Sequence, residues 1–246
     1  MKTKFLVRVL NRAAHFDADI ELADILRLEA NAGSLFTTGG QYIFDAVDPQ
    51  RHPRLAARGT TDASRGRAAA HLKTTLCSSF LKDIYEDLTM YLQELLKAAA
   101  ENGLSPDRLI GEHKVSFEAN DVLSAGNWDA VLGLVSKSLF RRLEGEKSTM
   151  NLLRAINNKL NLGVLPATID AALPYLELRH LLVHSDGVAD RKFCTAFPQM
   201  HAEEGHRVGL NLALIDDARA AILALMREFD QKVVSSNLVR AEHLQP

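Results

Sequence analysis

Residues 76–95 read LCSSFLKDIYEDLTMYLQEL, and their periodicity decides the fold class. Leu76, Phe80, Ile84, Leu88, Tyr91 and Leu95 recur at three- and four-residue steps, the spacing that lines one face of a long amphipathic α-helix. Glu101-Asn102-Gly103 closes that helix with a glycine, and Ser105-Pro106 opens a new element. Further along, Trp128, Val131, Leu132, Val135 and Leu139 form a second helical stripe. Ser148 stands where it would cap a third helix, carrying Leu152, Leu153, Ile156 and Leu160. Pro166 introduces a fourth, with Ile169, Leu173, Leu176 and Val183 roughly on one side. Within it, Pro174 should either bend the helix or mark its first turn. Asp216 or Asp217 is the expected cap of a last helix bearing Ile215, Ile222, Leu225, Phe229 and Val233. Strand signals are thin: Val208–Leu214 alternates weakly and predicts a short hairpin arm with residues near Phe193. The fold expected is an all-α bundle of about five helices.

The first third of the chain reads differently. Residues 4–47 mix short apolar clusters with Gly33, Gly39 and Gly40, with a weak helical signal around Asp19–Glu29. Residues 48–67 lack a sustained period and hold two prolines and five arginines. They read as an exposed basic loop, either a solvated connection or a contact for RNA. The chain therefore divides into an irregular N-terminal extension, 1–69, and a helical domain, 70–246.

Composition limits the function classes. The chain has 246 residues, 47% hydrophobic and 24% charged, with a formal net charge of −2. That balance excludes a globally basic nucleic-acid coat protein but leaves room for a local basic cleft, since phosphate contacts depend on placement. Arg8 and Arg12 interrupt the apolar N-terminus before it reaches the length of a signal peptide. No run approaches the ~20 apolar residues that span a bilayer. Cys77 and Cys194 form no CxxC pair and read as reduced thiols of a cytoplasmic protein. Gly39-Gly40 lacks the spacing and the following lysine of a phosphate-cradling loop.

The chemistry-bearing stretch is residues 175–187, YLELRHLLVHSDG. It sets Arg179 and His184 near the end of a helix, just ahead of Gly187. A guanidinium holds a phosphate in a planar fork, and an imidazole moves protons near neutral pH. The spacing alone decides nothing. With eighteen arginines and nine histidines, Arg108–His113 repeats it, and Arg65–His71 and Arg8–His15 come close. Context separates them: Arg108 is followed by Gly111 in a loop or short turn, Arg65 lies in the basic loop, and Arg8 lies in the poorly patterned terminus. Only Arg179–His184 closes a strongly apolar helix. Other readings of these residues stay open. His184 could be a helix-end cap, Arg179 could pair with Glu177, and His180 with His184, one turn apart, could begin a metal site completed by Asp186 or His201. The stretch from His201 to His206 reads as an exposed polar turn.

The run Arg179-His-Leu-Leu-Val-His184-Ser-Asp-Gly187 resembles the active motif of the HEPN superfamily of helical ribonucleases. The likeness covers roughly residues 70–240 and is nearest to toxin or phage-defence modules. It implies a HEPN-like helical bundle and a homodimer in which two motif helices build one composite cleft. It also implies a metal-independent endoribonuclease with no cofactor and no bound metal. Arg179 and His184 would be catalytic, with His180, Ser185 and Asp186 supporting them. The implied partners are an RNA substrate, a second copy of the chain, and an antitoxin or sensor protein encoded separately; no membrane is implied. A HEPN-like module that binds RNA or protein without cutting is the alternative, and a purely structural helical adaptor is a third.

Overall fold

The computed structural model describes residues 1–245 except 37–38, 43–44, 46, 58–60 and 146–147, with backbone alone at 62, 63 and 65. Among the described residues there are ten α-helices and one two-stranded sheet, an all-α fold. The helix foretold by residues 76–95 is the axis of the molecule. As α3 it runs from Asp62 to Glu101, 40 residues, or about 60 Å at the α-helical rise. Helices α1 (Lys4–Ala32), α6 (Trp128–Gly145), α8 (Pro166–His184) and α10 (Leu212–Ser235) pack against it. Tyr91, Phe80 and Leu88 of α3 are fully buried together with Phe140 of α6 and Phe229 of α10. Short helices α2 (Pro53–Ala56), α4 (Pro106–Ile110), α5 (Ala119–Ser124), α7 (Thr149–Leu160) and α9 (Arg191–Ala196) complete the element order.

The largest departure from the sequence reading is at the N-terminus. The expected irregular extension is mostly α1, a regular helix of 29 residues. Its buried positions are Leu6, Val9, Ala13, Ile20, Ala23 and Ala30. Half of them are alanines, which fit a close approach to α3 but add little to an apolar stripe. Arg8 and Arg12, which break the apolar pattern, reach across to α3 and pair with Glu94 at 3.0 Å and Asp87 at 2.8 Å. The basic stretch 48–67 is shortened in the same way. Its middle holds α2, residues 58–60 fall outside the described set, and from Asp62 onward it belongs to α3, capped by Thr61. The expected boundary at 69/70 thus falls inside one continuous helix.

Both chain ends meet. Strand β1 (Lys2–Thr3) pairs antiparallel with β2 (Leu244–Gln245), Lys2 opposite Gln245. Thr3 sits over the buried carboxylate of Asp230, only 2% exposed. Its amide donates to Asp230 Oδ2 at 3.1 Å and its hydroxyl donates to Oδ1. The Tyr91 hydroxyl lies 3.2 Å from that Oδ1 and 3.1 Å from the Met226 carbonyl. Arg240 clamps the C-terminal segment, donating to both carboxylate oxygens of Asp129 at 2.8 and 3.2 Å.

Several caps follow the sequence. Ser148 accepts the Asn151 amide at the start of α7, and Pro166 is the first residue of α8. Pro174 does not mark a first turn; α8 runs through it. Asn211, not Asp216 or Asp217, caps α10 by accepting the Leu214 amide at 2.9 Å. Asp216 instead pairs with Arg219 inside the first turns of that helix. The alternating segment 208–214 is not a strand. It supplies the cap and start of α10, preceded by an isolated bridge between Val188 and Arg207, while Phe193 is helical in α9. No helix among the described residues is long and apolar enough to cross a membrane.

Candidate active site

Helix α8 is apolar nearly all round, as a helix enclosed by its neighbours must be. Ile169, Ala172, Leu176, Leu178 and Leu181 are buried between α3, α7 and α10. Solvent is reached at both ends, at Pro166, Ala167, Asp170 and Ala171 and again in the last turns, and in the last turns the chain places Arg179, His180 and His184. The stop is tight. The amides of Ser185 and Gly187 both donate to the Leu181 carbonyl, at 2.9 and 3.0 Å, and Asp186 and Gly187 adopt φ of 52° and 79°. A Cβ on Gly187 would stand 3.2 Å from Leu182 Cδ2, so glycine meets both the left-handed backbone and the close packing. Beyond the stop, residues 187–189 pair with 205–208. The Val208 amide donates to the Gly187 carbonyl and the Ala189 amide to that of His206, each at 2.9 Å. This pins the chain before Asp190 caps α9 by accepting the Phe193 amide at 2.7 Å.

A cleft of about 260 Å³ opens at this end of α8. Arg179, His180, His184 and Glu177 form its α8 side; Tyr85 of α3, Glu144 of α6, Thr149 of α7 and Lys192 of α9 stand around them. A five-residue step turns an α-helix by about 140°, so Arg179 and His184 do not lie on one stripe. They share the cleft because it wraps around the free end of the helix. Both residues thus line one cleft of a single chain.

The guanidinium of Arg179 lies flat against an aromatic face, with Cζ 4.5 Å from the centre of the Tyr85 ring. Its Nε is shielded from solvent and has no hydrogen-bond partner. Although Glu177 lines the same cleft, no carboxylate among the described residues pairs with Arg179, so the surface ion pair foreseen as an alternative does not form. Burial holds the Tyr85 phenol above its usual range, and Thr149 and the Arg179 charge offset part of that. The rings of His180 and His184 stand 4.4 Å apart, tilted by 51°. Lys192 adds a second cation to the lining. The cleft thus holds two fixed cations, two imidazoles and two carboxylates.

The other expected supporting residues do not join it. Ser185 occupies the cap position after α8 and Asp186 pairs with Arg207, both outside the cleft lining. Neither Asp186 nor His201 joins the two histidines, and among the described residues no group of three or more His, Cys, Asp or Glu side chains converges. The rival Arg–His pairs are placed elsewhere. Arg108 lies in helix α4 rather than a loop and donates to the Lys159 carbonyl at 3.2 Å. Arg8 is spent on Glu94, and the Arg65 side chain lies outside the described set.

Tyr85, Lys192, Glu144 and Thr149 were not legible as site residues. Tyr85 flanks the buried stripe of α3 and looks like any core aromatic, and Lys192 comes after the glycine stop. The nearest signal is Asp190, a cap residue two positions before Lys192 that starts α9 beside the end of α8.

Comparison with family models, with characterised proteins and with solved structures returned no match to this chain.

Proposed function

We propose that the chain is a metal-independent endoribonuclease. The observation that carries this reading is that Arg179 and His184 line one solvent-accessible cleft, with a second cation, Lys192, beside them. In the reaction the substrate's own 2′-hydroxyl attacks the adjacent phosphorus. The O2′–P bond forms as the P–O5′ bond breaks, leaving a 2′,3′-cyclic phosphate and a 5′-hydroxyl. His184 moves the proton in one direction or the other, the work an imidazole does best near neutral pH. His180, ring to ring with His184, is placed to orient it. Arg179 and Lys192 face the non-bridging oxygens as negative charge gathers on them. Tyr85 holds the guanidinium flat. DNA, without a 2′-hydroxyl, is not cut.

The resemblance of the motif supports reading the chain as a toxin or an anti-phage effector that works as a homodimer, with an antitoxin or sensor encoded separately. Within that dimer each chain supplies its own reacting pair. The deciding experiment incubates purified protein and its His184→Ala variant with single-stranded RNA in excess EDTA. Wild type should cut and leave cyclic-phosphate ends, and the substitution should cost about 10²–10⁴-fold in rate. Equal cutting by both proteins, or cutting that EDTA abolishes, overturns the reading.

A further inference from the structure

A second cleft, of about 280 Å³, adjoins the first between the end of α8 and α9. The two share Ser148, Glu177, His180 and Lys192, so a strand with its phosphate over Arg179 carries a neighbouring nucleotide into the second. We propose that this second cleft is a nucleobase subsite that selects guanine next to the scissile phosphate, with Glu177 reading the base. The proposal rests on the ribonuclease reading for its substrate.

Three observations converge. The walls toward α9 are apolar and aromatic: Leu173, Leu181, Phe193 and Phe197, the two phenylalanine rings 5.2 Å apart. Such a surface suits the flat face of a base and not a ribose-phosphate, and stacking on aromatics is the usual way single strands are held. The volume lies at the small end of the range for ligand sites, the scale of one base. The charged lining also suits a base edge: Glu177 and Asp190 are carboxylates, which attract N–H donors, while Lys192 and His180 are shared with the first cleft. Asp190 already spends an oxygen on the Phe193 amide. Glu177 is half-buried and, among the described residues, accepts no hydrogen bond and forms no ion pair. A carboxylate in the wall of the cleft with both oxygens open can accept two donors side by side.

The donor pattern names the base. Guanine presents N1–H and the N2 amino group side by side, matching two carboxylate oxygens. Adenine and cytosine offer one amino group next to an acceptor nitrogen. Uracil offers one N–H between two carbonyls that a carboxylate repels. The expected order is guanine first and uracil last.

The test measures kcat/KM on short single-stranded RNAs differing only in the base beside the cleavage site, for wild type and Glu177→Gln. Wild type should favour guanine over uracil by roughly tenfold, the ordinary worth of a good bidentate contact. The variant should lose that preference and cut the guanine and uracil substrates at equal rates. A uniform loss on all substrates would mean that Glu177 serves the chemistry, and would overturn the subsite. In parallel, binding of 2′-O-methyl tetranucleotides rich in G or in U is followed by fluorescence anisotropy. Guanine-selective, Glu177-dependent binding without any cleavage supports the subsite and removes the nuclease assignment. Cleavage with no base preference removes the subsite and leaves the nuclease standing. Neither binding nor cutting removes both.

Discussion

Tyr85 is the least conspicuous member of the cleft, and replacing it gives the sharpest test of how the site is organised. Its ring lies 4.5 Å from Arg179 Cζ, and among the described residues it is the one aromatic partner of a guanidinium whose Nε is shielded and unbonded. A cation–π contact contributes about 0.5–1 kcal/mol when exposed and about 2 when desolvated, and the shielding of Nε places this one toward the upper end. Tyr85→Leu removes the π face while keeping an apolar body of similar reach. If holding Arg179 flat is what the contact does, the full 1–2 kcal/mol appears in the transition state. That corresponds to a fall of about 5- to 30-fold in kcat/KM on an RNA substrate, since about 1.4 kcal/mol is a factor of ten. Tyr85→Phe keeps the face and should stay within about threefold of wild type. Circular dichroism melts of the same proteins confirm that both variants fold. Equal activity of the leucine and phenylalanine variants would refute the positioning argument. Equal loss in both would assign the role to the hydroxyl. Because burial keeps that phenol protonated past its usual range, the phenylalanine variant should also leave the neutral pH–rate profile unmoved.

Asp230→Ala removes the acceptor shared by Thr3 and Tyr91; two donors on Thr3 lose a charged partner, while the Tyr91 hydroxyl keeps the Met226 carbonyl. The net cost should be about 3 kcal/mol, less than the sum of the bonds because a buried charge disappears too. For a chain of this size that lowers the melting temperature by roughly 6–12 °C, and a loss under about 2 °C would contradict it. Gly187→Ala should cost about 1–2 kcal/mol in a urea titration, since its φ of 79° and its approach to Leu182 both oppose a side chain. Alkali should unfold the protein early: burial raises the phenols of Tyr91, Tyr85 and Tyr175 above 10.0. Folding then favours the protonated phenols, so stability is complete below about pH 10 and falls as pH climbs through the raised values. Flat stability through pH 11 would contradict this burial.

What the sequence made legible follows from how each element signals itself. The core of α3 is spelled in large aliphatic and aromatic residues at helical steps, so its fold class is plain. Helix α1 buries alanines and pairs its arginines with a helix more than seventy positions away, and neither signal survives in a local window. The cap of α10 was misplaced because several side chains in 211–217 can cap, and only packing chooses Asn211. In the cleft, the residues on α8 could be read because a charged pair is conspicuous at the end of an apolar helix. Tyr85, Glu144, Thr149 and Lys192 come from four other elements, and their convergence is a tertiary fact. Ser185 and Asp186 show the reverse: next to the histidine in sequence, they lie outside the cleft lining, Asp186 at a left-handed φ and paired with Arg207.

Whether one chain or two supply the reacting pair can be settled by complementation. In a composite cleft, arginine comes from one copy and histidine from the other. Mixing Arg179→Ala with an equal amount of His184→Ala protein would then rebuild one intact site in each mixed dimer. Random re-association makes half the dimers mixed, each with one working cleft of two, so about a quarter of wild-type activity would return. If each chain carries its own pair, every site in every mixed dimer lacks a member and nothing returns. Both residues line one cleft of one chain, between elements of that chain, so no recovery is expected even where gel filtration shows a dimer. Recovery near a quarter would mean that the groups meeting the substrate come from opposite copies, and that the intrachain cleft is only half of the site.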